Sequence, residues 1–339
     1  MQLQQPPKPN KGSTVYIISP SAGLLPFVES RVKRTTRHLE ALGFKVKIAS
    51  HANKNSGYVS APIDERVADI HEAFSDPACS IVMAAIGGDH SNQLIARLDY
   101  QLIRNNPKVF VGYSDNTVLH YAFATKANLQ TYYGPCFLNQ FGEFPEVLPY
   151  TLGYFNKAIL LQDNNITVEP SKEYTDEVLD WFKEEDIKRP RKMVANSGYS
   201  WWRNGKASGW AMPCTIPSVN HLLGTDYMPD AKGAVLMLDI PEGNSMYEGE
   251  SVAHIDAWLT DMDNAGILAK VNGIVIGRPY KYTPEMTDEL KTVVLRITER
   301  YGYPVLYNVD MGHTDPVVTV PIAATVGLDS DKPYFRITA

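Results

Sequence analysis

The sequence predicts an α/β fold in two parts: a doubly wound parallel sheet, then a second, β-rich α+β region. Three observations carry this. Short apolar runs alternate with segments of helical period through the first 130 or so residues. That rhythm breaks after about residue 165. The length, 339 residues, fits two domains of roughly 150 each.

Taken in order, residues 1–12 read as a polar, proline-bearing tail. Thr14 to Ser19 is a strand stopped by Pro20-Ser-Ala-Gly23. A helix from Glu29 to Leu42 ends at Gly43, and Lys45 to Ala49 is the next strand. Ile63 to Ser75 places Val67, Ile70 and Phe74 on one helical face, and Ser80 to Ile86 is a third strand. Gly87-Gly-Asp-His-Ser91 follows it, leading into a helix through Ile95 and Leu98. Val109 to Val111 is the fourth strand, and a helix from Ser114 runs on through Lys126. Parallel doubly wound sheets hold ligands at the carboxyl ends of their strands, where Gly87-Gly88 and Ser114 both fall. The charged stretch Lys183 to Lys192 reads as an exposed connection. Beyond Ser200 lie shorter strands (Ala234–Leu238, Gly273–Gly277, Pro304–Tyr307, Val317–Val320, Ala323–Val326) and two amphipathic helices, 252–265 and 284–301. The expected division is a tail (1–12), a first domain (13–165), a connecting segment (166–199) and a second domain (200–339).

Composition removes several function classes. A formal charge of −6 and no clustered basic face argue against nucleic-acid binding. The cations Arg31, Lys33, Arg34 and Arg37 read as the solvated face of the first helix. No apolar run is long enough to span a bilayer, and the N-terminus has no secretory h-region. Three cysteines without CxxC spacing fit a reducing compartment, so a cytoplasmic protein is expected. None of the eight histidines stands in a metal-ligand spacing, and no phosphate-loop or dinucleotide motif occurs. No metal and no cofactor are expected.

The stretch with most chemistry is Val109-Phe-Val-Gly-Tyr-Ser-Asp-Asn-Thr117. A strand, a glycine and then a serine opening a helix form a nucleophile elbow; the same serine also reads as a plain N-cap. A serine nucleophile needs a base and an acid to orient that base. His313 lies in the inter-strand loop Asp310-Met-Gly-His-Thr-Asp-Pro316. Asp239 ends an apolar strand, with Glu242 three residues on. Gly87-Gly-Asp-His90 offers backbone N–H groups to an oxyanion, or is only a tight turn. Ser91 is a rival nucleophile, placed inside a helix where a capping role is favoured.

These pieces resemble the LD-carboxypeptidase family of serine peptidases, closest to its microcin-C-immunity branch. The resemblance rests on Ser19-Pro-Ser-Ala-Gly23, Ile86-Gly-Gly-Asp-His90, Val111-Gly-Tyr-Ser-Asp-Asn-Thr-Val-Leu119 and Tyr133-Gly-Pro135. It continues through Leu223-Gly-Thr-Asp-Tyr227, Ala234 to Asp239, Ile274-Val-Ile-Gly-Arg278 and Met311-Gly-His-Thr-Asp-Pro316. It implies a flavodoxin-like first domain and a Ser–acid–His triad split across the two domains. Ser114 would be the nucleophile, His313 the base, and Asp239 the acid with Glu242 as fallback. Gly88 or Asp89, with Asp115, would supply the oxyanion N–H groups, and His90, Trp181 and Trp202 would meet the substrate.

The substrate class implied is a small peptide or an aminoacyl-nucleotide-like conjugate, cleaved at an amide without nucleic acid or membrane, by a homodimer. Two departures stand out. The family's acid is normally a glutamate where Asp239 stands, and many members carry a Gly-Gly pair before the cysteine of Met212-Pro-Cys214. The alternative is a ligand-binding member of the fold with a degenerate triad. A cysteine amidotransferase-like reading fails because no cysteine sits at an elbow.

Overall fold

A computed structural model describes residues 1–338. The first half carries β1 (Thr14–Ile18), α1 (Glu29–Ala41), β2 (Lys45–Ile48), α2 (Ile63–Ser75), β3 (Cys79–Ala84), α3 (Tyr100–Asn105), β4 (Val109–Gly112), α4 (Thr117–Ala122) and β5 (Tyr132–Tyr133). There follow α5 (Pro149–Phe155), β6 (Asn165–Val168), β7 (Glu173–Tyr174), β8 (Val194–Ala195) and β9 (Ser200–Arg203). The second half has β10 (Lys206–Thr215), α6 (Ile216–Asn220), β11 (Ala234–Asp239), α7 (Val252–Asn264), β12 (Gly273–Gly277) and α8 (Pro284–Ile297). It ends with β13 (Val305–Val309), β14 (Val320–Pro321), β15 (Thr325–Asp329) and β16 (Phe335–Thr338).

In the first sheet β2, β1, β3, β4 and β5 lie side by side and parallel. The order 2-1-3-4-5 is that of flavodoxin-like folds, with its switch point between β1 and β3. β1 is buried at every position because helices cover both faces, while edge strand β2 alternates toward solvent. The second sheet runs β6-β16-β15-β10-β11-β12-β13-β9. Its centre, β10 to β13, is parallel; the outer strands pair antiparallel. The chain interleaves the two: β14, from the second half, pairs with β5, and β6, from the first half, pairs with β16.

Several expectations are corrected. The helix expected through Ile95 and Leu98 is two short 3₁₀ turns, because the His90 and Ser91 N–H groups bond to the Asp115 carboxylate and Leu98 turns extended. The helix from Ser114 is α-helical only over α4, opening with a 3₁₀ turn and closing with a π turn. Arg31 and Arg34 are not a solvated face. Both are buried and both engage Asp186, while Lys33 and Arg37 stay exposed. A buried guanidinium is tolerable only when a carboxylate and carbonyls satisfy it, and Leu138 and Gly142 supply those carbonyls. The charged 183–192 run is likewise turned partly inward. It delivers Asp186 to these arginines and carries Arg191, which bonds to Glu143 and Asp315.

Candidate active site

Ser114 follows β4 with a φ of 64°, the left-handed region that a non-glycine residue occupies only when its surroundings hold it there. Its Oγ is turned to the His313 ring rather than to the backbone of the helix that follows. The strain is held from several sides. Thr117 Oγ1 donates to the Ser114 carbonyl at 2.7 Å. The buried His120 ring ties α4 back through Gly112 O (2.9 Å) and Thr131 Oγ1 (2.7 Å). Burial pushes the His120 pKa down to about 4, so the ring is neutral there.

Against the elbow lies the 87–91 loop. A Cβ on Gly87 would sit 2.7 Å from Ser114 Cβ and 2.8 Å from its Oγ, so only glycine fits. Gly88, at φ 140°, packs on Ser21 where any side chain would collide. The buried Asp115 carboxylate accepts the N–H groups of His90 (3.0 Å) and Ser91 (2.8 Å), and Ser21 Oγ also accepts from His90. The residue after the serine thus clamps the glycine loop onto the elbow.

The second sheet brings the rest. Ser114 Oγ lies 3.0 Å from His313 Nε2, and His313 Nδ1 lies 2.9 Å from both Asp239 oxygens. Asp239 is fully buried at the end of β11. Its Oδ2 accepts from Tyr133 Oη (2.6 Å) and Thr215 Oγ1 (2.8 Å). Burial first, then the Asp239 charge, pushes the Tyr133 phenol well above its ordinary pKa, which keeps it a neutral donor. Gly312, at φ 93°, lets the histidine loop approach so closely that a Cβ there would overlap the Asp239 carboxylate. That approach is how an acid one methylene shorter than glutamate reaches the imidazole. The Tyr113 ring meets the His313 ring edge-on at 4.9 Å.

Burial is the largest influence on His313 and pushes its pKa down. The carboxylates of Asp239 and Glu242, the Asp239 hydrogen bond and Asp315 push it up, and together they win, to about 9. Glu242 Oε2 is 3.6 Å from Nε2, the nitrogen facing Ser114 and not the one an orienting acid holds. His313 opens onto a cavity of about 230 Å³, room for a small molecule, whose wall includes Tyr113, Trp181 and Glu242. Trp181 also covers the Arg31 guanidinium at 3.9 Å.

The structure therefore brings Ser114, His313, Asp239, Asp115, Gly88, Glu242 and Trp181 together. Asp89 is exposed on the loop, and the His90 ring packs on Tyr58. Trp202 is not brought to the cavity: it stacks on Tyr307 at the β9 edge, 4.3 Å between ring centres. Tyr133 and Thr215 were missed as Asp239 partners. Their only trace was position, in Tyr133-Gly-Pro135 and just after Met212-Pro-Cys214. Among the described residues no group of three or more His, Cys, Asp or Glu is arranged to hold a metal ion, and no helix is long and apolar enough to cross a membrane.

A serine elbow on a flavodoxin-like sheet, meeting a histidine and an acid from a second sheet, describes a serine-peptidase fold. Residues 15–134 match the LD-carboxypeptidase N-terminal domain and residues 208–328 the LD-carboxypeptidase C-terminal domain. The chain belongs to this family of carboxypeptidases and is an enzyme. A Bacillus subtilis (strain 168) relative bearing a carboxypeptidase name is 32% identical over 335 residues, 97% of each chain. An MccF-like protein from Bacillus anthracis str. Ames superposes with a TM-score of 0.90 at 32% identity, covering 99% of both chains. The microcin C7 self-immunity protein MccF of Escherichia coli is 28% identical over 341 residues, 96% of this chain and 93% of its own. A structure of microcin C7 self immunity protein MccF in complex with aspartyl sulfamoyl adenosine has a TM-score of 0.88 at 27% identity, covering 98% of both chains.

Proposed function

We propose that this enzyme hydrolyses an amide bond in an aminoacyl- or peptidyl-nucleotide-like conjugate, with Ser114 as nucleophile, His313 as base and Asp239 as orienting acid. The observation that carries this is the unbroken hydrogen-bonded line from Ser114 Oγ through His313 to Asp239, at a strained elbow facing the cavity. Ser114 Oγ attacks the carbonyl carbon while its proton passes to His313 Nε2. The N–H groups of Gly88 and Asp115 hold the oxyanion, an arrangement in which one donor is typically worth about 10²–10³ in rate. His313 then returns the proton to the leaving nitrogen, and water releases the acyl group by the same steps. Asp239 holds the imidazole tautomer, with Tyr133 and Thr215 fixing the carboxylate.

Trp181 is the aromatic surface for a nucleobase, a role supported by its place on the cavity wall and by the adenosine conjugate held in the MccF complex. The family description, with the murein peptide carboxypeptidase names of two relatives, equally supports an L,D amide of a murein peptide as substrate. The test is mass spectrometry after exposure to a fluorophosphonate, alongside turnover of aspartyl sulfamoyl adenosine and of a murein tetrapeptide. Wild type is expected to take one adduct and to release free aspartate; Ser114→Ala and His313→Ala do neither. Cleavage of the tetrapeptide alone moves the substrate class to murein. No adduct and no turnover of either would leave a ligand-binding protein. A homodimer and a cytoplasmic location belong to the same reading, the first checked by light scattering and the second by fractionation.

A further inference from the structure

Glu242 stands apart from the other charges of the cavity. Six carboxylates line it, and five are engaged by cations: Glu143 and Asp315 by Arg191, Glu177 by Arg189, Asp180 by Lys183, and Asp186 by Arg31 and Arg34. Among the described residues Glu242 has no ion-pair partner other than His313, and its side chain is 45% exposed. Its backbone is nevertheless fixed. Glu242 bridges Gly249, Gly243 N–H donates to Glu248 O at 3.1 Å, and Tyr280 Oη donates to Met246 O at 2.7 Å. A carboxylate on a fixed loop, half open to solvent and sharing the His313 ring with Asp239, is a preorganised acceptor for a second cation.

We propose that Glu242 determines specificity at this site by receiving a protonated amino group on the carbon next to the scissile carbonyl. This rests on the hydrolase reading above. Glu242 Oε2 lies 3.6 Å from His313 Nε2, which lies 3.0 Å from Ser114 Oγ, so the carboxylate faces the place where an attacked carbonyl must sit. An α-amino nitrogen is about 2.5 Å from its carbonyl carbon by standard bond lengths, within hydrogen-bonding reach of an oxygen so placed. The substrate class selected is an aminoacyl conjugate with a free amino terminus, in preference to one whose nitrogen is acylated. An ammonium there also neutralises a charge that holds the proton on His313, so the correct substrate helps free its own base.

The test measures calorimetric affinity of Ser114→Ala, and of Ser114→Ala with Glu242→Gln, for aspartyl sulfamoyl adenosine and its N-acetyl form. The first protein is expected to prefer the free amine by about tenfold or more, as for a charge-assisted contact. The double variant is expected to lose that preference while binding the acetylated ligand unchanged, which a merely structural role for Glu242 would not produce. An unchanged preference, an equal loss of both ligands, or no binding of either to the first protein overturns the assignment. Selective binding without turnover by wild type would instead sink the hydrolase reading and leave the ammonium site standing.

Discussion

Replacing Asp239 with glutamate, the family's more usual acid, is expected to harm this enzyme. The added methylene lengthens the side chain by ~1.5 Å, in a position with no exposed surface. On one side the Gly312 backbone already packs on the carboxylate; on the other, Tyr133 and Thr215 bond to Oδ2 at 2.6 and 2.8 Å. The longer acid must push the histidine loop outward or break both bonds. Overfilling a packed site costs about 1–3 kcal/mol, and a hydrogen bond lost from a charged group about 1.5–3 kcal/mol. Shifting an imidazole by ~1 Å costs about 10²-fold in rate. Asp239→Glu should therefore unfold at lower urea and show kcat/KM down by about two orders of magnitude on aspartyl sulfamoyl adenosine. Wild-type stability together with wild-type kcat/KM would refute the claim that Gly312, Tyr133 and Thr215 fit an aspartate.

Four further outcomes follow from the same geometry. Because His313, the proposed base, must be unprotonated to act and sits at about 9, kcat/KM should climb close to tenfold per pH unit from 6 toward about 7.5, where a substrate α-amino group begins to lose its own proton; a flat profile there would contradict the charge arrangement. Stability should move the other way. A folded pKa above the unfolded value contributes fully below about pH 6.5 and is lost as pH rises through about 9, roughly 3 kcal/mol in all. Urea titrations at pH 6 and 9.5 should show this loss in wild type and not in His313→Gln. Gly87→Ala places a methyl against Ser114, so fluorophosphonate labelling should slow by about 10²-fold, measured by adduct formation over time. Arg191→Met leaves Glu143 and Asp315 without their cation. It should cost about 3–5 kcal/mol, partly regained by adding Glu143→Gln, as read by urea unfolding.

The elements that carry local signals were legible in the sequence. An apolar run, Gly112 and then Ser114 announce an elbow because the turn is made by neighbours in the chain. His313 and Asp239 could be named from a glycine-bearing loop and a strand end. What joins residues far apart left little local trace. Arg31 looks like a surface cation until Asp186, 155 residues on, folds over it. The Tyr133 bond to Asp239 exists only because β5 of the first sheet meets the second sheet, and Thr215 reaches the carboxylate as its cross-strand neighbour on β10. Trp202 shows the reverse error: an indole near other aromatics suggests a binding surface, yet Tyr307 covers it.

The interleaved sheets also set when the reactive centre comes into being during synthesis. A nascent chain presents Ser114 early, while the first sheet still lacks Val320–Pro321 along its β5 edge. His313 follows Ser114 by 199 residues, and that closing strand comes soon after it in the chain. A chain that has not yet reached His313 thus holds Ser114 with no imidazole beside it. The pair that faces the cavity therefore forms only once the two sheets have been threaded together, and a fragment that stops short of His313 lacks the ring that meets Ser114.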